Sequence, residues 1–186
     1  MIDILHVKNF HRTRAQLQEW LMFSIAVGGK RAVQIAPRVE TFLRTAWPDR
    51  RYCLWFTAHC FPGRTLDAMK TAGLGRYART LRTMITLHKQ RINVRTCSVQ
   101  VLERIVGPKT ARLFILYSRK NARCIPIDTH VLKFLRSCGH RVPRGTPARG
   151  PAYEKLEALV LHEADARKLS AITLDTKIWT KYAKVS

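Results

Sequence analysis

The chain has 186 residues, 46% of them hydrophobic, which suits one domain or two small lobes that share a buried core. No segment reaches the roughly 18 consecutive apolar residues of a membrane span, and the first nine residues lack a signal-peptide pattern, so we expect an intracellular protein with no membrane partner. Thirty-four Lys and Arg face twelve Asp and Glu, a formal net charge of +22 spread along the chain, and nucleic acid is the polyanion that best relieves such repulsion.

Apolar residues recur at helical spacing along almost the whole chain, which predicts an all-α fold. Pro37 is expected to bend or interrupt the second helix, and HRVPRGTPARGP is predicted to be a loop. The predicted helices, in chain order, are Gln16–Val27, Arg31–Leu43, Tyr52–Phe61, Thr65–Thr71, Tyr77–Lys89, a helix capped by Ser98 that ends near Arg104 or Ile105, Thr110–Ser118, Thr129–Cys138, Tyr153–Ala166 and Thr173–Lys184.

The five cysteines, at positions 53, 60, 97, 124 and 138, are odd in number and include no CxxC pair. This spacing predicts neither a disulfide framework nor a zinc ribbon. A metal ligand could come from His59 with Cys60, or from Cys138 with His140. We interpret these residues as packed or surface side chains, and we predict no metal site.

The stretch VLERIVGPKTARLFILYSRKNARCIPIDTHVLKF contains a lysine that neither helix propensity nor core packing requires. Gly107 allows a tight turn, Pro108 suits the first position of a helix, and Lys109 follows in the first turn. An amine there could attack a sugar C1′, or it could simply contact a phosphate. Asp128 stands just ahead of the next helix, where it could serve only as an N-cap or could accept the proton of Lys109 and stabilise a cationic sugar.

The motifs GPKTA and IPIDTHV resemble those of the helix-hairpin-helix DNA glycosylases of the endonuclease III superfamily, and the similarity is greatest to small thermostable 8-oxoguanine DNA glycosylases. It covers about Leu17 to Tyr182. It implies a two-lobed helix-hairpin-helix fold with a cleft between the lobes. Lobe one would span about 24–124, with the hairpin near 98–118, and lobe two would combine 1–23 with 125–186. In that family the hairpin lysine is the Schiff-base nucleophile and the later aspartate the catalytic carboxylate, roles that map onto Lys109 and Asp128.

The resemblance implies a monomeric DNA glycosylase with AP lyase activity that flips out and excises a damaged or modified base, 8-oxoguanine first. Its partner would be double-stranded DNA carrying that base, in the cytoplasm or nucleoid, or in a host cell if the chain is virus-encoded. No cofactor is implied, because no cysteine follows Cys138 and the four-cysteine iron–sulfur loop of endonuclease III is absent. The hairpin RIVGPK also lacks the usual Pro-Gly pair.

Two further groups of residues complete the predicted site. The residues expected to bind DNA are Gly107, Thr110, Lys30, Arg31, Arg76 and Arg79. Those expected to form the base pocket are Phe23, Ser24, Phe134 and Trp179, although aromatic residues at helical spacing also suit a core. Three alternatives stay open: the same fold acting on uracil, mismatched thymine or a hypermodified viral base, a non-catalytic DNA-binding protein, and a basic RNA-binding protein.

Overall fold

The computed structural model describes residues 8–183. These residues form ten α-helices and no strand, which confirms the predicted all-α class. Contacts between Cα atoms divide the chain between Val106 and Gly107 into two compact units, called unit 1 and unit 2 below. The lobes implied by the family resemblance divide the chain differently, since they join 1–23 to 125–186, and that arrangement stays a prediction.

Unit 1 is a bundle of six helices in its described part. Helix α3 packs on α5, α1 packs on α2, and α4 contacts α2, α3 and α5, while α6 lies against α5. Large side chains that are almost fully buried fill the centre. The helices are α1 (Arg14–Ala26), α2 (Ala32–Ala46), α3 (Leu54–Cys60), α4 (Pro62–Thr71), α5 (Tyr77–Lys89) and α6 (Val99–Val106). The most buried large residues are Leu21, Met22, Phe42, Trp47 and Trp55.

The ends of the helices in unit 1 follow local sequence signals. Thr13 and Gln16 form a capping box at the start of α1, and the Ser98 hydroxyl accepts a hydrogen bond from the Val101 amide, so the predicted cap of α6 is confirmed. Helix α2 continues through Pro37, so of the two predicted effects the interruption is wrong, while a bend stays a prediction. Pro37 lies near the start of the helix, where it removes only the bond to the carbonyl of Val33.

Unit 2 contains four helices in its described part: α7 (Pro108–Ser118), α8 (Thr129–Ser137), α9 (Pro151–Ala166) and α10 (Ala171–Ala183). Helix α10 contacts α7, α8 and α9, and α8 also contacts α9. Phe114, Ile125, Ile127, Leu135 and Val160 are fully buried among them. This core fixes the segment before α8 against α9, and that segment carries Asp128.

Proline explains why two helices begin earlier than predicted. Pro62 opens α4 and Pro151 opens α9, ahead of the predicted starts at Thr65 and Tyr153. A proline is tolerated at the first position because its missing amide would have had no partner there.

The five cysteines all carry free thiols. Over residues 8–183, no helix has both the length and the apolar content that crossing a membrane requires.

Candidate active site

Lys109 and Asp128 lie together in unit 2. The Nζ atom of Lys109 is 3.4 Å from Oδ2 of Asp128, so the predicted juxtaposition of amine and carboxylate is present in the structure. The Lys109 side chain is 46% exposed, whereas the Asp128 side chain is only 13% exposed. A reactant can therefore approach the amine from solvent while the carboxylate behind it is shielded.

The start of α7 depends on a glycine. Gly107 is the N-cap and has φ 88° and ψ 159°, a backbone conformation that is almost restricted to glycine. Pro108 follows as the first helical residue, and no side chain of the described residues caps this helix. Lys109 and Thr110 thus lie in a first turn whose amides lack the acceptors of a helix interior.

Asp128 is the N-cap of α8 and also the partner of the lysine. Its Oδ1 atom accepts hydrogen bonds from the amides of His130 at 2.9 Å and Val131 at 3.0 Å, while Oδ2 faces Lys109. The N-cap interpretation is confirmed. It does not compete with the catalytic hypothesis, because the two oxygens have separate partners and the cap fixes the orientation of the carboxylate.

A brace from α9 holds the segment that precedes Asp128. Glu157 accepts a hydrogen bond from the Ile125 amide at 3.0 Å through Oε1, and the Tyr153 hydroxyl accepts one from the Ile127 amide at 2.7 Å. Both amides lie in a buried extended segment that has no helix or sheet to pair with. These two bonds therefore satisfy buried backbone donors and set the position at which α8 begins.

Arg112 connects this brace to the first turn of α7. Its Nε atom donates to Oε2 of Glu157 at 2.7 Å, Nη1 lies 3.4 Å from the carbonyl of Pro108, and the guanidinium stacks 4.7 Å from the centre of the Tyr153 ring. Glu157 thus binds the segment leading to Asp128 with one oxygen and the helix carrying Lys109 with the other. We call Arg112, Tyr153 and Glu157 the brace.

A second buried acid lies near the pair. Asp175 of α10 is 4% exposed, and its Oδ2 atom accepts a hydrogen bond of 2.6 Å from the hydroxyl of Tyr117 on α7. Burial raises the pKa of Asp175 to about 7; the hydrogen bond from Tyr117 opposes the shift, the charge of Asp128 adds to it and the charge of Lys109 reduces it. Burial and the charge of Asp175 in turn raise the pKa of the Tyr117 phenol. The carboxyl group of Asp175 therefore keeps its proton to a higher pH than an exposed aspartate does.

The four residues predicted to form the base pocket are divided between the units. Phe23 and Ser24 are buried in unit 1, where Phe23 stacks on Trp20 at 5.2 Å and the Ser24 hydroxyl donates to the Trp20 carbonyl. Phe134 and Trp179 belong to unit 2. The role of all four in reading a base stays a prediction.

Trp179 is the member of that group best suited to meet a ligand. It is 49% exposed, and its ring makes an edge-on contact with the ring of His130, with centroids 6.3 Å apart. His130 lies two residues beyond Asp128 in the sequence. Phe134, in contrast, is 9% exposed and is covered by the guanidinium of Arg167, 5.2 Å from its ring centre. The half-buried His130 has a buried Nδ1 atom with no hydrogen-bond partner among the described residues.

The predicted DNA-binding residues also fall into two groups. Gly107 and Thr110 belong to the start of α7 beside Lys109. The other four lie in unit 1, either in the loop between α1 and α2, at a helix start or on exposed helix surface: Lys30, Arg31, Arg76 and Arg79. Arg31 is the N-cap of α2 and Arg76 the N-cap of α5. Whether any of them contacts DNA stays a prediction.

Sequence reasoning missed the brace and the buried acid. Arg112 lies between Ala111 and the apolar run that begins at Leu113, and Asp175 directly follows Leu174 in α10. A charged residue on a buried helix face usually has a partner, so the sequence indicated that Arg112 and Asp175 would each have one. The identity of each partner was not predictable, because Arg112 and Glu157 are 45 residues apart in sequence and Tyr117 and Asp175 are 58 apart.

Comparisons with protein-family models, with curated proteins and with solved structures find no match to this chain. Within the described residues, no three His, Cys, Asp or Glu side chains come together in a way that could hold a metal ion.

Proposed function

We propose that the chain is a DNA glycosylase with AP lyase activity, in which Lys109 is the nucleophile and Asp128 the catalytic carboxylate. The observation that carries the proposal is the 3.4 Å approach of Lys109 Nζ to Asp128 Oδ2 at the first turn of α7. The formal net charge of +22 supports DNA as the substrate. The sequence resemblance supports 8-oxoguanine as the first base to test, on a two-lobed helix-hairpin-helix fold with a cleft.

The reaction begins with proton transfer from the lysine. Asp128 accepts a proton from Lys109, and the lone pair that this frees forms a bond from Nζ to C1′ of the extruded nucleotide. The bond between C1′ and the base breaks, its electron pair leaves with the base, and the base takes the proton that Asp128 accepted from Lys109. The ionised Asp128 then takes a second proton from Nζ and passes it to O4′, so that the C1′–O4′ bond breaks and a protonated Schiff base forms between Nζ and C1′. Removal of a proton from C2′ lets the C3′–O bond break, and the 3′ phosphate leaves with its electron pair.

The surroundings of the pair fit these steps. The amine is exposed enough to meet a flipped nucleotide, and the shielded carboxylate is held in one orientation by two amides of α8. Trp179 offers an exposed aromatic face for stacking on the extruded base. The amides in the first turn of α7 favour a phosphate beside Lys109.

The test is a panel of labelled duplexes, each carrying one lesion, incubated with the protein and borohydride. We expect a covalent complex, because borohydride reduces the Schiff base to a stable amine, and we expect 8-oxoguanine to give the highest yield. A higher yield on uracil, mismatched thymine or a hypermodified base would retain the enzyme class and change the substrate.

A non-catalytic DNA-binding protein is the second candidate. The observation that favours it is that Asp128 has a complete structural role as the N-cap of α8, with Lys109 as its ion-pair partner. This candidate predicts tight binding to DNA, no trapped complex on any duplex of the panel and no base release.

A further inference from the structure

Three cations of unit 1 converge on two neighbouring loops. Lys30, in the loop between α1 and α2, donates from Nζ to the carbonyl of Leu74, and Arg38 of α2 donates from Nη1 to the carbonyl of Gly73 at 3.0 Å. Arg76 ends the loop between α4 and α5, which also contains Gly73 and Leu74, and its guanidinium lies beside Gly28 in the first loop. We call Lys30, Arg38 and Arg76 the cation cluster.

The cluster carries uncompensated charge. Within residues 8–183, no carboxylate forms an ion pair with Lys30, Arg38 or Arg76, and the hydrogen bonds of Lys30 and Arg38 go to carbonyls. Burial, and then the charges of Arg76 and Arg38, lower the pKa of the Lys30 ammonium. The three groups therefore repel one another, and an anion bound between them would reduce that repulsion.

The backbone is adapted to this convergence. Gly75 has φ 67°, a conformation that favours glycine, and a Cβ atom there would lie 3.0 Å from Nζ of Lys30, so that the lysine would have to shift slightly. Arg76 itself has φ 50°, a left-handed conformation that disfavours an arginine. The chain thus accepts backbone strain at the position that carries the third cation.

We propose that Lys30, Arg38 and Arg76 together bind one phosphate group of a DNA backbone. The choice of DNA as the source of that phosphate rests on the proposed function. An open hollow of about 690 Å³ adjoins the cluster at Arg76, and it is lined by Leu66, Lys70, Arg76, Tyr77, Ala78 and Arg79. Arg79 continues the positive surface away from the cluster, as a run of phosphates along a strand would require, whereas Nζ of Lys70 lies 3.7 Å from the Asp67 carboxylate.

The experiment measures binding to an undamaged duplex by fluorescence anisotropy, for Arg38→Gln, Arg76→Asn and the double variant. Asn is chosen at position 76 because it tolerates the left-handed backbone. We expect each single variant to bind about tenfold more weakly, as loss of a charge-assisted hydrogen bond does. Because both side chains would serve one phosphate, the double variant should lose much less than the roughly hundredfold product.

Arg44→Gln is the matched control, since Arg44 is an exposed arginine of the same helix as Arg38 and lies outside the cluster. When Arg44→Gln is combined with Arg76→Asn, the fold-losses of DNA affinity should multiply, as they do for independent sites. The proposal is overturned if the fold-losses of Arg38→Gln and Arg76→Asn also multiply in the double variant, or if each substitution changes affinity less than twofold. It is also overturned if these variants lose binding to phosphatidylglycerol vesicles and keep full affinity for DNA.

The test of the phosphate site can fail independently of the test of the proposed function, because binding to undamaged DNA does not involve attack by Lys109. Coupled losses of DNA affinity in the variants, without any borohydride-trapped complex, would support the phosphate site and contradict the glycosylase. A trapped complex together with independent losses of affinity would support the glycosylase and contradict the phosphate site. Thermal unfolding of each variant checks that the fold is retained, and Arg76→Asn removes no hydrogen bond within the described residues.

Discussion

At the scale of single residues, Asp128 joins structure to chemistry. One carboxylate oxygen caps α8 through two amides, and the other faces the Lys109 ammonium. A capping aspartate is common at a helix start, so its presence alone says little. Here the two capping hydrogen bonds fix the orientation of the Asp128 carboxylate so that its second oxygen faces Lys109. A substitution that keeps the cap and removes the charge separates the two roles.

Asp128→Asn is that substitution. Asparagine caps helices about as well as aspartate, and the ion pair is open to solvent on the Lys109 side, so stability should change by about 1 kcal/mol. The single-turnover rate of base excision should fall by roughly 10²–10⁴-fold, because the group that accepts the lysine proton is gone. Thermal unfolding and rapid-quench kinetics measure the two effects. A stable variant with a normal rate would restrict Asp128 to its capping role.

Asp175 should govern part of the pH dependence of stability. Its pKa is raised from 3.8 to about 7 on folding, so the folded chain holds this proton to higher pH than the unfolded chain does. The stability that it contributes is fully present below the unfolded pKa and is lost as the pH rises through about 7. As the pH rises from about 3.8 to about 7, wild type should therefore lose stability relative to Asp175→Asn. Outside this interval the stabilities of the two proteins should change with pH in the same way.

The measurement for Asp175 is denaturant unfolding of both proteins across that pH interval. The Asn side chain can still accept the hydrogen bond from Tyr117, so packing is conserved and the difference isolates the charge. Parallel pH profiles for the two proteins would contradict the assignment of a raised pKa to this carboxyl group.

At the scale of helices and segments, the brace explains how a pair nineteen positions apart keeps its geometry. Helix α9 contributes Tyr153 and Glu157, which bind the segment before Asp128, and Arg112 ties the same glutamate to α7. The Arg112 and Glu157 side chains are 8% and 12% exposed, so their charges depend on each other. Loosening this contact should disturb the active pair without touching either member of it.

Glu157→Gln tests the brace. Gln can still accept from the Ile125 amide, but the buried contact between Arg112 and the charge of Glu157 is lost, which should cost about 3 kcal/mol of stability. Well below the unfolding temperature, the excision rate should fall while affinity for undamaged DNA is unchanged, because the brace acts on the geometry of Lys109 and Asp128. Glu154→Gln, an exposed glutamate on the same helix, should change neither. Identical behaviour of the two variants would contradict a positioning role.

The helices themselves were largely predictable, and the contacts between them were not. Apolar spacing located every helix of the described part to within a few residues. Proline explains the main errors, because Pro37 lies within α2, and Pro62 and Pro151 open α4 and α9. The pairing of Lys109 with Asp128 was predicted because the sequence resemblance relates the two residues, and the structure places them 3.4 Å apart. The brace and the cation cluster depend on which helix faces meet, and periodicity alone does not specify that.

At the scale of the whole molecule, the charge is the dominant property. A net charge of +22 on 186 residues opposes compactness, and a polyanion partner would reverse that effect. Cationic side chains lie on both units: Lys30, Arg38, Arg76 and Arg79 belong to unit 1, and Lys109 belongs to unit 2. Not all of the 34 basic residues can meet one short duplex, so the number of phosphates neutralised is a measurable quantity.

Salt dependence measures that number. If about six phosphates are neutralised, the logarithm of affinity should fall with the logarithm of salt concentration at a slope of roughly −5. The slope should be the same on plain and lesion-bearing duplexes, because backbone contacts do not read the base. Arg79→Ala should reduce the slope by about one on both duplexes. A wild-type slope near zero would mean that the basic surface serves another partner.

The central claim is that Lys109 forms a Schiff base with the sugar of an extruded nucleotide. Borohydride trapping on the best duplex of the lesion panel, followed by protease digestion and mass spectrometry of the cross-linked peptide, tests it most directly. We expect the adduct to map to Lys109, Lys109→Gln to give no trapped complex, and Lys133→Gln, which changes an exposed lysine of α8, to be trapped like wild type. An adduct on another lysine, or undiminished trapping by Lys109→Gln, would contradict it.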